Sequence, residues 1–341
     1  MLRRRSGTLV ALLAVALLAG ACGGGDDGSS GSDSAASEEI GVVYDVGGLG
    51  DQGFNDAALV ALTRAEDELD VTVQEFETDD SGSDREELLR LLADQGYGLI
   101  VAVGAAFRPA VEAVAEDHED LTFAIVDDPG SELPNVTSLD FAEEEAAYLA
   151  GAAATLASTS RRVGFLGGQD DARTRRSQAG FKAGAIRIDP KVVVDVAYLP
   201  PAEGGVVDPA KVREVALAQL GTGVDVVYGV PGALSDPLFA AAQEHGGAKV
   251  IGADTDRSLT ADPAVEGVIL VSLVKAVEAA VYDIAEAFAE GGLTAGTHRF
   301  GLAQEAVSLS PGGSLPADAR ARVDELRQKI VDHQIQVPST P

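Results

Sequence analysis

The chain is short of most residues that covalent and redox chemistry needs. Of its 341 residues one is cysteine, one is methionine and none is tryptophan. The four histidines (His118, His245, His298 and His333) stand far apart and show no metal-ligand spacing. The single cysteine, Cys22, excludes a disulfide framework and a Cys/His metal cluster. No H-E-x-x-H or G-x-S-x-G pattern occurs, so no nucleophile is paired with a base and no cofactor is indicated. Positive charge is also scarce. The 25 basic residues against 55 acidic ones leave a net charge of −30, which disfavours nucleic acid and suits neutral or cationic ligands. Beyond the N-terminal stretch no apolar run reaches the roughly 20 residues that a membrane-spanning helix requires.

That stretch is informative. Arg3, Arg4 and Arg5 precede an apolar segment over 8–19, too short to cross about 30 Å of hydrocarbon. Ala19-Gly20-Ala21 then leads into Cys22. Small residues before a lone cysteine resemble a bacterial lipoprotein signal. The expectation is a signal peptide over 1–21, lipid on Cys22, and an extracytoplasmic protein anchored to the cell membrane. Residues 22–38, rich in Gly, Ser, Ala, Asp and Glu, lack a core-forming pattern and read as a flexible tether.

From residue 40 onward short apolar runs alternate with helical patterns. Strands are expected at 40–44, 71–76, 99–103, 121–126 and 136–139, with helices at 54–69, 85–95, 109–117 and 142–157. The plan then restarts, with strands at 163–166, 192–199, 224–228 and 249–252 and helices at 173–186, 210–220 and 234–244. A strand at 267–272, a helix at 274–289, a strand at 306–309 and a helix at 317–331 follow. Strands apolar on both faces between helices imply a parallel, doubly wound sheet, and two rounds of the plan imply two lobes. The expected division is 39–158 with 256–292 in one lobe and 159–255 with 293–335 in the other, with a ligand in the cleft between them.

The densest signal is the glycine turn Gly47-Gly48-Leu49-Gly50-Asp51-Gln52-Gly53-Phe54-Asn55, between the first strand and first helix. It formally contains the dinucleotide fingerprint Gly48-x-Gly50-x-x-Gly53. Asp51, inside the loop, would oppose a pyrophosphate there, so a nicotinamide or flavin site is rejected. Asp51 fits two roles, helix cap and ligand contact, and Phe54 fits two, hydrophobic staple and ligand contact. The basic island Arg173, Arg175 and Arg176 fits a solvated helix face or a transporter contact, and the solvated face is the preferred reading.

This turn, together with Phe141-Ala-Glu-Glu-Glu-Ala-Ala-Tyr148-Leu149-Ala150-Gly151, Val163-Gly164-Phe165-Leu166-Gly167-Gly168, Ala179-Gly180-Phe181-Lys182-Ala183-Gly184, Gly252-Ala253-Asp254-Thr255-Asp256 and Ser272-Leu273-Val274-Lys275, resembles the basic membrane protein family. These are substrate-binding lipoproteins of ABC transporters and include purine nucleoside receptors. The resemblance implies a type I periplasmic-binding-protein fold: two Rossmann-like lobes joined by three hinge crossings. It implies a monomer that captures a nucleoside in the cleft and delivers it to an ABC permease, without catalysis. By that resemblance Phe54 stacks on the base, Asn55 and Asp127 hydrogen-bond it, Asp254 and Lys275 hold the ribose, and Gly232 offers backbone to the sugar. Asp51 and Phe141 complete the candidate set. The family's second aromatic, three residues before a Gly-Phe pair, is Ser177 here. The competing reading is a surface sensor or adhesion lipoprotein that uses the same cleft for another small polar ligand.

Overall fold

In the computed structural model, residues 38–51, 53–200, 208–230 and 235–341 are described. The expected signal peptide, the tether up to residue 37, Cys22 and Gly232 lie outside them. The chain begins Glu39–Tyr44 (β1), Phe54–Glu68 (α1), Thr72–Glu77 (β2), Arg85–Gln95 (α2), Leu99–Val103 (β3), Arg108–Ala115 (α3), Thr122–Val126 (β4) and Val136–Phe141 (β5). It continues Glu143–Ala157 (α4), Arg162–Gly167 (β6), Ala172–Ile188 (α5), Val193–Tyr198 (β7), Pro209–Leu220 (α6), Val226–Val230 (β8), Asp236–His245 (α7), Lys249–Gly252 (β9), Arg257–Thr260 (α8) and Ile269–Lys275 (β10). Val277–Ala289 (α9), Gly296–Phe300 (β11), Val307–Leu309 (β12) and Ala317–Val331 (α10) complete it.

The strands form two 6-stranded sheets, ordered β11-β5-β4-β3-β1-β2 and β12-β10-β9-β8-β6-β7. Apart from the antiparallel β10–β12 pair, every pairing is parallel. The central β3, Leu-Ile-Val-Ala-Val, is buried at all five positions, as a strand covered on both faces must be. The described residues belong to one compact unit, and the expected two doubly wound lobes are present within it. In such sheets ligands bind beyond the carboxyl ends of the strands, beside the point where strand order reverses. The glycine turn after β1 stands at that point in the first lobe.

Three short segments cross between the sheets: Phe141 to Glu143, Lys275 to Val277, and Phe300 to Val307. Backbone bonds tie the crossings side by side, Ala142 N–H to the Phe300 carbonyl and Ala276 N–H to the Ala306 carbonyl, each at 2.8 Å. These crossings move the lobe boundaries. Helix α4, expected with the first lobe, packs on α5, β8, β12 and α10 of the second. Strand β10, also expected in the first, joins the second sheet, and β11, expected in the second, joins the first. Helical spacing within a segment says how it folds but not which sheet receives it. The strand β10 also runs on through Lys275, where a helix was expected to have begun at 274. Its end is held by pairing of Leu273, Val274 and Lys275 with β12, a partner more than 30 residues away. Lys275 therefore ends a strand.

The closest helix contact is between α4 and α5. A Cβ on Gly184 would lie 1.8 Å from the Tyr148 carbonyl oxygen, one on Gly180 2.1 Å from that of Glu144, and one on Gly151 1.9 Å from that of Phe181. Backbone lies directly on backbone here, and no side chain can be moved aside to admit a methyl group. Gly184→Ala is expected to destabilise the protein by about 3 kcal/mol, the upper part of the overpacking range. Chemical denaturation measures this, and an unchanged midpoint would mean the helices can part without cost.

Candidate functional site

Five charged side chains from five segments meet between the lobes. Asp127 follows β4, Glu143 opens α4, Arg173 is in the first turn of α5, Asp254 follows β9 and Lys275 ends β10. The Lys275 Nζ lies 2.5 Å from Glu143 Oε1, 3.1 Å from Asp127 Oδ1 and 3.4 Å from Asp254 Oδ1. Arg173 reaches across from the second lobe to pair with Asp127 Oδ2, and stands 3.7 Å from Glu143 Oε1. Asp127 and Asp254 both adopt left-handed backbone, with φ of 66° and 71°. Asp tolerates that region better than most residues, and such conformations cluster at ligand sites.

Burial makes these charges strongly interdependent. Burial pushes the Asp127 carboxyl above its ordinary range, against the opposing pull of Arg173 and Lys275. Burial acts on Glu143 in the same direction but is outweighed by Lys275, Arg173 and hydrogen bonds from Lys275 and Ser177, which bring it down to about 2. For Lys275, burial favours the neutral amine, yet Asp127, Glu143 and Asp254 together hold the ammonium charged. A buried cation with three carboxylates around it is stable only while those partners stay in place.

Two aromatic rings border this cluster. Lys275 Nζ is 5.0 Å from the centroid of the Phe54 ring and 6.0 Å from that of Phe141. Phe54 is only half-buried, whereas Phe141 is 1% exposed and packs on Phe300 at 5.7 Å. Phe54 thus packs on the core while part of it stays accessible, and Phe141 is sealed against Phe300 beneath the crossing.

Two of the expected contacts are committed elsewhere. The Asn55 amide accepts from Asp45 N–H and donates to the carbonyls of Asp45 and Gly48, all at 3.1 Å, so it staples the glycine turn. Asp51 accepts from the N–H groups of Gly53, Asn55 and Asp56 and so satisfies donors at the start of α1, whose N-cap position is Gly53. These residues shape the loop that presents Phe54. The neighbouring acid Asp128 is likewise structural: it is fully buried and held by Ser138 Oγ at 2.6 Å and by Arg108 at 2.5 Å.

The structure also adds residues that the sequence reading left out. Ser177 is fully buried and its Oγ donates to Glu143 Oε2 at 3.1 Å. It shares a stripe of α5 with Gly180 and Gly184, pressed onto α4, so this position has no open wall on which an aromatic ring could stand. The basic island divides into three roles. Arg175 is exposed and pairs with Asp170 at 2.6 Å. Arg176 pairs with the buried Asp140 at 2.6 Å, and Arg299 pairs with both Asp140 and Glu144. Arg173 enters the cleft. The signal was helical spacing: Arg173 precedes Ser177 by four residues and so shares its inward face, which Arg175 does not.

The Glu143–Lys275 pair joins the first crossing to the second, so its loss should be visible as pH-dependent stability. Glu143 titrates near 2 in the folded protein against an ordinary 4.5, so its contribution is complete above about pH 4.5 and is lost as pH falls towards 2. The shift corresponds to about 3 kcal/mol. Asp127, displaced upward, acts in the opposite sense, so the test is a difference between two proteins. Glu143→Gln is expected to be less stable than wild type at neutral pH and to converge on it near pH 2. Parallel stability curves from denaturation at several pH values would show that the pair contributes nothing.

The family described as ABC transporter substrate-binding protein, PnrA-like, matches residues 38–341. A CD4+ T-cell-stimulating antigen of Listeria innocua is 31% identical, over 97% of each chain. The ABC transporter nucleoside-binding protein BmpA of Lactococcus lactis is also 31% identical over 97% of each chain. A solute-binding protein of an ABC transporter system from Aeropyrum pernix K1 superposes with a TM-score of 0.73 at 27% identity, covering 88% of this chain and 93% of its own. With two parallel lobes, three crossings and a charged cleft already in place, the chain belongs to the Bmp family of ABC transporter substrate-binding proteins.

Proposed function

We propose that the protein captures a nucleoside, with a purine base, in the cleft between its lobes and delivers it to an ABC permease without chemical change. The observation that carries the reading is the half-buried Phe54 ring beside the buried Asp127–Lys275 pair and the half-buried Asp254. A nucleoside base needs a flat apolar face and a few fixed polar groups at its edge, and stacking on an aromatic ring contributes about 1–3 kcal/mol. Phe54 offers the face and Asp127 an acceptor for ring N–H groups. Asp254 and Lys275 suit a ribose diol, an acceptor beside a donor. Asp51 and Asn55 support the loop, Phe141 closes the floor, and Gly232 remains assigned to the sugar by family resemblance alone. A relative named for nucleoside binding supports the same ligand class.

Binding would draw the lobes together about the three crossings, with tighter contact in the closed form supplying the shift. Lipid on Cys22 would keep the protein at the membrane, beside its permease.

Calorimetric titration of residues 36–341 with adenosine, guanosine, inosine, uridine and ribose tests the proposal. A nucleoside is expected to bind and free ribose to bind far more weakly. Phe54→Ala should weaken nucleoside binding by roughly 5- to 150-fold, the equivalent of about 1–3 kcal/mol. Asp127→Ala should weaken it at least as much, because a buried donor on the base is left unpaired. Folded, ligand-free protein that binds none of the nucleosides would sink the reading.

A further inference from the structure

Arg173 pairs with the carboxylate that the nucleoside reading assigns to the base. Its guanidinium comes from the second lobe and pairs with Asp127, which belongs to the first. Asp127 has two acceptor oxygens, and Lys275 already holds Oδ1 at 3.1 Å. The remaining oxygen, Oδ2, is the one that Arg173 occupies. The contact is built to be reversible. Asp127, Glu143 and Lys275 have side chains no more than 5% exposed, but the Arg173 side chain remains 35% exposed and so has a path out to solvent. Its location is also costly, since a cation in the first turn of a helix opposes the helix dipole. The cap of that helix is supplied by Asp171, which accepts from Thr174 N–H at 2.8 Å.

We propose that Arg173 sets the affinity of the cleft by acting as a resident competitor for Asp127: it closes the empty protein over its own carboxylate and must be exchanged for a donor on the ligand. The inference rests on the nucleoside reading for the identity of that donor, a ring N–H on the base. A ligand with only acceptors at that edge cannot displace the guanidinium without leaving Asp127 Oδ2 unpaired. The competitor therefore filters ligands as well as weakening them all. When Arg173 leaves, Lys275 alone faces Asp127, Glu143 and Asp254, so the donor on the ligand has to replace the hydrogen bond that Asp127 loses.

The size of the effect follows from the share of molecules that are ready to bind. If the Arg173–Asp127 contact is formed nine times in ten, the apparent affinity falls about tenfold. Arg173→Gln should then bind guanosine or inosine roughly tenfold more tightly than wild type. Arg173→Lys, which keeps a cation that can reach Asp127, should stay near wild type. Small-angle scattering of the empty proteins gives a second reading that needs no ligand: wild type and Arg173→Lys compact, Arg173→Gln with a larger radius of gyration. Weaker nucleoside binding by Arg173→Gln, with an empty protein as compact as wild type, would overturn the proposal and make Arg173 a direct ligand contact. If wild type binds no nucleoside, the functional reading fails, and the scattering arm still decides the competitor: expansion on removing Arg173 upholds it and no change refutes it.

Discussion

A buried ammonium group, that of Lys275, is the point on which the two lobes depend. Removing a cation from water costs several kcal/mol, and only close carboxylates with good geometry offset it. Those carboxylates come from three separate places: Asp127 at the end of β4, Glu143 at the start of α4 and Asp254 after β9. Lys275 is itself the last residue before the second crossing. The charge can be buried only when both sheets and two crossings are correctly placed, so the ion group and the lobe arrangement specify one another.

Packing decides which side chains reach that group. The seam of Gly151, Gly180 and Gly184 brings α4 and α5 into backbone contact, which sets the opening turns of the two helices side by side. Glu143 and Ser177 are held together by this approach, and Arg173, one turn earlier on the same face of α5, is carried into the cleft. A wider seam would place Arg173 in solvent with Arg175. The second ionic group, Asp140 and Glu144 with Arg176 and Arg299, arises from the same juxtaposition and binds the first and third crossings.

Much of the fold was legible because most of its elements announce themselves locally. Continuous apolar strands such as 99–103 between amphipathic helices have no stable arrangement other than a covered parallel sheet. Phe54, Asp127 and Asp254 follow strands that were legible, at the ends where α/β sheets place ligands, whereas Lys275 was named by family resemblance alone, because its local pattern reads as helix. Glu143 was not, since three consecutive acids at 143–145 suit a helix dipole equally well and only packing distinguishes the buried ones. Strand β11 was missed because Thr297, His298 and Arg299 carry little apolar signal, and as an edge strand it has little need of one.

By itself, then, the sequence determined the alternation of strand and helix, the two rounds of it, and the residues at strand ends able to meet a small polar ligand. These are properties of short stretches, fixed by apolar period, glycine and turn chemistry. The tertiary structure decided which sheet each late strand joins, where the crossings fall, and which charges are paired. It showed Asn55 and Asp51 bonded within the glycine turn, and it moved Arg173 from an expected solvated helix face into the cleft. Charge pairing depends on distances of a few ångströms between segments that lie from tens to more than a hundred residues apart, and no local pattern encodes that separation.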